Sequence, residues 1–160
     1  MLVGEQPGDQ EDLQGHPFVG PAGAMLDKAL EQAGLARSEV FLTNAVKHFK
    51  WEPRGKRRIH QKPRISEIRA CRPWLDAELR LVKPDVVVCL GAVAAQAIFG
   101  SQFKLMQQRG RMLQSGVSAK TLATIHPAAV LRAPDEEARR QAFATLVKDL
   151  KVARKVLEKR

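Results

Sequence analysis

The chain has 160 residues, enough for one domain with a real apolar core. Twenty-seven Lys and Arg against 17 Asp and Glu leave a formal charge of +10, which argues for a polyanionic partner, nucleic acid first, over a basic surface with no partner. No run of ~18 to 20 uncharged apolar residues is present to span a membrane, and Glu5, Asp9, Glu11 and Asp12 near the start read against a signal peptide.

The opening MLVG reads as a strand over 2–4 already under way, which points to a natural segment before it. EQPGD follows as a turn. Residues 21–34 place Met25, Leu26, Ala29, Leu30 and Ala33 at helical spacing, with Gly34 positioned to end the helix. VFLTN, 40–44, is a second strand. Residues 45–65 are basic and carry Pro53, Gly55 and Pro63, so they read as a long loop, a length that inside a domain usually signals function. Ser66 is placed to cap the next helix, whose apolar face is Ile68, Cys71, Leu75, Leu79 and Val82, with Pro73 predicting a kink or a restart. DVVVCLG, 85–91, is continuously apolar, as a central parallel strand covered on both faces must be. A helix over 92–99 follows, then a fourth strand over 121–127 ending at His126 and Pro127, then a last helix over roughly 136–158. Strand and helix in alternation predict an α/β fold: a three-layer α/β/α sandwich on a mostly parallel four-stranded sheet, as one domain over 1–160.

Ligands of such sheets bind at the carboxyl ends of the strands. Each predicted strand end here carries a polar or reactive group: Glu5, Gln6 and Asp9, then Thr43 and Asn44, then Gly91, then His126. Singly, each has a plain structural explanation, as a solvated turn carboxylate, a loop cap or a strand-end histidine. Phe18, in GHPFVGPAG, fits neither helical nor strand periodicity and is a core contact or a stacking platform. Cys89 belongs to the core strand. In the stretch GKRRIHQK, Lys56, Arg57 and Arg58 suit phosphate, and His60 follows two residues past the last of them. Two cysteines make no disulfide framework and suit a reducing, cytoplasmic setting. With no exposed heptad seam, a monomer is expected.

In order, GEQPG, GHPFVGPAG, TNAVK, KPDVVVCLG and HPAAVLR resemble the uracil-DNA glycosylase superfamily over essentially the whole chain, and its family 4 iron–sulfur enzymes in particular. GEQPGDQED with KRRIH resembles the X-type branch, in which the enzyme excises uracil and stays bonded to the sugar. The resemblance implies roles for single residues, on uracil-containing DNA, preferably single-stranded. Phe18 would stack on a uracil taken out of the base stack, Asn44 would pair with its N3–H and O4 edge, and His126 would bond O2 with help from backbone N–H groups near Gln6. Asp9 belongs to the same uracil-binding set. Lys56, Arg57, Arg58 and Arg132 would contact DNA, Arg58 also anchoring its loop to Asp9 or Asp12. His60 would attack C1′, with Glu5 orienting or deprotonating it.

The chain also departs from that family. A [4Fe–4S] cluster needs four ligands, and only His48, in NAVKH, and Cys71, in ACRPWL, match positions of the set; no N-terminal C-x-x-C is present. Either a preceding segment completes the cluster or the chain has none. Ala128 stands where the family often has serine. Three readings stay open: a single-turnover glycosylase that crosslinks through His60, an ordinary turnover glycosylase using water, and a non-catalytic nucleic-acid-binding protein.

Overall fold

A computed structural model describes residues 1–118 and 120–159. In chain order the elements are β1 (Leu2–Gly4), α1 (Asp9–Gln14), α2 (Pro21–Ala33), β2 (Leu42–Asn44), β3 (Trp51–Arg54), β4 (Arg57–His60) and α3 (Ile65–Val82). There follow β5 (Val87–Leu90), α4 (Ala92–Phe99), α5 (Leu105–Gln108), β6 (Thr121–Thr124), α6 (Pro127–Leu131) and α7 (Glu136–Leu157).

Strands β2, β1, β5 and β6 lie side by side in that order, all parallel. Successive side chains of a strand face opposite ways. Leu2, Val88, Leu90 and Leu122 therefore pack with Leu26 and Leu30 of α2 and Leu146 and Leu150 of α7. Val3, Val87, Cys89 and Ala123 pack on the other side with Leu75 and Leu79 of α3 and Ala94 and Ile98 of α4. This double covering explains why the run from Val86 to Leu90 is apolar at every position. The architecture is the three-layer α/β/α sandwich expected of the strand and helix alternation. Both cysteines are buried and unpaired by disulfide, and no helix of the described residues is long and apolar enough to cross a membrane.

Several local expectations are corrected. The 45–65 stretch is not an irregular loop: β3 and β4 pair antiparallel, with Trp51 opposite His60 and Arg54 opposite Arg57. Gly55, at φ +60, opens a two-residue turn that only a glycine takes without strain. Helix α3 begins at Ile65 rather than after Ser66, because the Glu67 carboxylate accepts the Arg64 N–H at 2.6 Å and closes a capping box there. It runs unbroken through Pro73, which lies exposed, although the ring removes the N–H that would bond the Arg69 carbonyl. The turn after β1 includes the short helix α1, β6 stops at Thr124, and His126 caps α6 instead of ending a strand.

Candidate active site

A cleft of about 880 Å³ opens at the carboxyl ends of the parallel strands, with Glu5, Phe18, Asn44, His60, Gly91 and His126 on its wall. Glu5 follows β1 directly, Asn44 ends β2, Gly91 follows β5 and His126 lies two residues past β6. Sheet topology alone thus gathers groups from across the sequence, as the strand-end rule requires.

Asn44 is 7% exposed, and its side-chain amide makes no hydrogen bond among the described residues. A buried amide left free in a cleft is available to a ligand edge. Behind it, Thr43 Oγ1 is held by Glu78 at 2.8 Å and by Lys47 Nζ at 2.6 Å, and Lys47 bonds Glu78 at 2.7 Å, which fixes the end of β2 to α3. Gly4 keeps the space between: a methyl group there would lie 2.6 Å from Phe18 Cζ and 2.5 Å from Asn44 Oδ1.

Phe18 is 6% exposed and takes φ +53, a left-handed conformation that costs a bulky residue about 1–3 kcal/mol. The Arg37 guanidinium holds that turn by donating to the carbonyls of Pro17 at 3.1 Å and Phe18 at 3.0 Å, while also pairing with Asp27. The absence of a side chain at Gly23 admits the Phe18 carbonyl against α2. The ring stacks on His126 at 6.0 Å between centroids, so Phe18 is core contact and cleft wall together.

His126 Nδ1 accepts the Ala128 N–H at 3.0 Å. In the neutral ring the proton therefore sits on Nε2, the nitrogen left to serve as a donor. Burial lowers the pKa of His126 from 6.5 to about 4; Glu5 raises it, while Arg132 and His60 lower it further. Neutral histidine thus contributes stability that is full above pH 6.5 and is lost as pH falls toward 4. By linkage, unfolding free energy is expected to drop by about 2 kcal/mol between pH 7 and pH 5 from this group, and His126→Gln to remove that part of the drop in urea titrations.

His60 lies at the rim, its side chain 51% exposed, with Nε2 3.0 Å from Glu5 Oε1. The contact is not aligned as a hydrogen bond, and Oε1 is buried with no hydrogen-bond partner among the described residues. A buried carboxylate oxygen in that condition is rare in a folded protein and marks a place where something is meant to bind or react.

The side chain of Gln6 has a role the sequence did not suggest. Nε2 donates to the carbonyls of Lys50 at 3.2 Å and Gln61 at 3.1 Å, and Oε1 accepts the Lys50 N–H at 3.2 Å. Lys50 and Gln61 bracket the hairpin, so Gln6 fastens its base to the end of β1, one residue from Glu5. Arg58 fastens the middle: it pairs with Asp9 at 2.6 Å and Asp12 at 2.7 Å and lies over the rings of Phe49 and Trp51. These bonds hold both Arg58 and Asp9 within the folded chain; the roles the resemblance implies for them, on phosphate and on uracil, are proposals. Asp9 remains on the cleft wall, and the anchoring of Arg58 is as the sequence suggested.

Lys56 and Arg57 are exposed and have no carboxylate partner among the described residues, nor has Arg54, directly across from Arg57. Like charges opposite one another oppose hairpin formation, and an anion laid across them relieves that repulsion. Arg132 is exposed at the cleft's rim.

His48 Nδ1 lies 3.8 Å from Cys71 Sγ, which also accepts the Lys47 N–H at 3.5 Å. No group of three or more His, Cys, Asp or Glu able to hold a metal occurs among the described residues. The two residues fit part of a cluster ligand set and not a complete one, so no step below passes through a cluster. Cys89 is a core thiol whose pKa burial pushes up to about 12.

Trp51, Gln61 and Arg37 escaped the sequence reading. For Trp51 and Gln61 the available signal was the two-residue Gly55–Lys56 turn flanked by equal stretches. For Arg37 there was none, because its role depends on the path of a loop.

The family described as the uracil DNA glycosylase superfamily matches residues 1–151. A type-4 uracil-DNA glycosylase of Pyrobaculum aerophilum is 40% identical over 141 residues, covering 84% of this chain and 68% of that protein. One of Archaeoglobus fulgidus is 38% identical over 141 residues, 84% of this chain and 67% of that protein. One of Thermotoga maritima is 33% identical over 160 residues, 99% of this chain and 78% of that protein. With strand-end glutamate, asparagine and histidine converging on one cleft, and matches of this extent, the chain belongs to the uracil-DNA glycosylase superfamily.

Proposed function

We propose that this protein excises uracil from DNA, as the names of its relatives describe for them, and that His60 then bonds to C1′ of the sugar. The observation that carries the second step is the buried, hydrogen-bond-free Glu5 Oε1 at 3.0 Å from His60 Nε2. Uracil lies against Phe18, with N3–H and O4 on the Asn44 amide. As the C1′–N1 bond breaks, its electron pair goes to uracil, and His126 Nε2–H donates to the oxygen, O2, on which negative charge collects. The sugar becomes an oxocarbenium ion. Glu5 accepts the proton from His60 Nε2, the other ring proton staying on Nδ1, and the freed lone pair attacks C1′. The imidazolium so formed loses Nδ1–H to solvent. A carbon–nitrogen bond at C1′ has no easy leaving group, so the adduct persists and each molecule acts once.

A second reading is ordinary turnover. The relatives are named as glycosylases, and the same Glu5 oxygen is able to orient a water instead. Mixing the protein with a single-stranded oligonucleotide carrying one deoxyuridine separates the two. Free uracil with a protein–DNA band that survives heat and detergent is the expected result. Uracil without the band means turnover, and no uracil at all refutes excision.

The DNA strand crosses the unpaired cations Arg54, Lys56 and Arg57. Replacing both Lys56 and Arg57 by Gln is expected to make the plot of log affinity against log salt shallower by about 1.4, at about 0.7 per phosphate contact on a single strand. Anisotropy titrations at several salt concentrations check this, and an unchanged slope would remove the hairpin tip from the DNA path. Action as a monomer is part of this proposal, and the two free thiols suit the cytoplasm.

A further inference from the structure

At about 880 Å³ the cleft is several times larger than one pyrimidine base requires, for it is near the top of the range that whole drug-sized ligands occupy. Glu5, Phe18, Asn44 and His126 account for only part of its wall. Val93, Leu105, Met106, Leu131 and Arg132 also line it. This part of the wall is apolar, yet it is open: Met106 of α5 is 72% exposed and Leu131 of α6 38% exposed. Exposed apolar side chains lining a groove continuous with a binding site mark an extension of that site. Arg132, charged and without an ion pair among the described residues, lines the same cleft.

We propose that this shelf is a second subsite, which takes the nucleobase next to the uracil on the same strand. The inference rests on the uracil-excision reading. The occupant follows from continuity and charge. Whatever fills the shelf is linked to a base at the Asn44 end, has an apolar face to lay on Met106 and Leu131, and carries an anion within reach of Arg132. A neighbouring nucleotide, with its flat base and phosphodiester, meets all three conditions. A thioether is a polarisable surface for a base plane. Only an unstacked neighbour reaches the shelf, so the subsite favours single-stranded over duplex substrate.

The test uses the full chain and single-stranded oligonucleotides carrying a 2′-fluorinated deoxyuridine, whose fluorine disfavours the sugar cation and keeps the glycosidic bond intact. One oligonucleotide has ordinary neighbours. Two others replace the 5′ or the 3′ neighbouring base by a tetrahydrofuran spacer that keeps the phosphates. Dissociation constants are measured by anisotropy for the wild type and for Met106→Ala. The wild type is expected to bind one of the spacer oligonucleotides about tenfold more weakly than the ordinary one, the scale set by covering one apolar side chain with a base. Met106→Ala should bind the ordinary oligonucleotide with that same weakened affinity and show little further loss on the spacer. Equal wild-type affinity for all three oligonucleotides overturns the proposal, and so does a spacer penalty undiminished in Met106→Ala. Because Met106 is largely exposed, its truncation leaves the core intact, which a thermal melt confirms. Uracil release from ordinary deoxyuridine is scored separately, so failure of the excision reading is told apart from failure of the shelf.

Discussion

A His60→Ala protein is expected to form no denaturation-resistant complex with uracil-containing DNA while still releasing uracil. The imidazole is the nucleophile set against Glu5, with Nε2 3.0 Å from Oε1, and alanine offers no lone pair. On the proposed reading, bond breaking is driven elsewhere in the cleft, by Asn44 and His126, which the substitution leaves in place. Removing the ring also opens space beside Glu5 Oε1, the buried oxygen with no hydrogen-bond partner. A water entering there gains a carboxylate to hold it, and attack on the sugar cation by that water completes an ordinary hydrolysis. On this reading one side chain decides between acting once and turning over. The measurement is a denaturing gel alongside a free-uracil assay over many equivalents of substrate. A full-strength band from His60→Ala would assign the covalent bond to another residue, and a wild type that releases uracil repeatedly would establish the turnover reading. Replacing Glu5 by Gln in the His60→Ala background should then slow release by about a hundredfold, the usual range for removal of a general base.

The sandwich was legible because its signals are local. A run such as Val86 to Leu90 cannot be solvated on either face, and the spacing of Leu146, Val147 and Leu150 admits only a helix. The convergence of Glu5, Asn44 and His126 was legible too, since the parallel topology that brings strand ends together follows from element order. The hairpin was not. Its residues are largely exposed on both strands, with no alternation of apolar and polar to report a buried face. What holds it lies at long range: the Gln6 amide against Lys50 and Gln61, and Arg58 against Asp9 and Asp12. The same distance hid the division of labour among Lys56, Arg57 and Arg58. In a strand, neighbours point opposite ways, so Arg58 turns in to its carboxylates while Arg57 stays solvated. A run of like residues in sequence thus becomes two populations, one structural and one free for phosphate.

Asn44→Ala is expected to lower uracil excision by about a hundredfold while leaving affinity for uracil-free single-stranded DNA unchanged. The amide is buried and makes no bond to the described residues, so its removal breaks nothing in the fold. What it removes is the pair of hydrogen bonds to N3–H and O4, each worth about 1–1.5 kcal/mol, which together correspond to about two powers of ten in rate. The loss should fall on the chemical step as well as on binding, because O4 shares the negative charge that develops as the base departs, and a donor aimed there acts more strongly on the departing anion than on the resting base. On the proposed reading, general DNA affinity depends on the hairpin cations and Arg132, which are exposed. Single-turnover rates of uracil release, measured beside salt-dependent binding to a thymine oligonucleotide, separate the two quantities. A parallel fall in both would mean that Asn44 serves the shape of the cleft and not the recognition of the base, and an unchanged rate would move the base-reading role to another group on the wall.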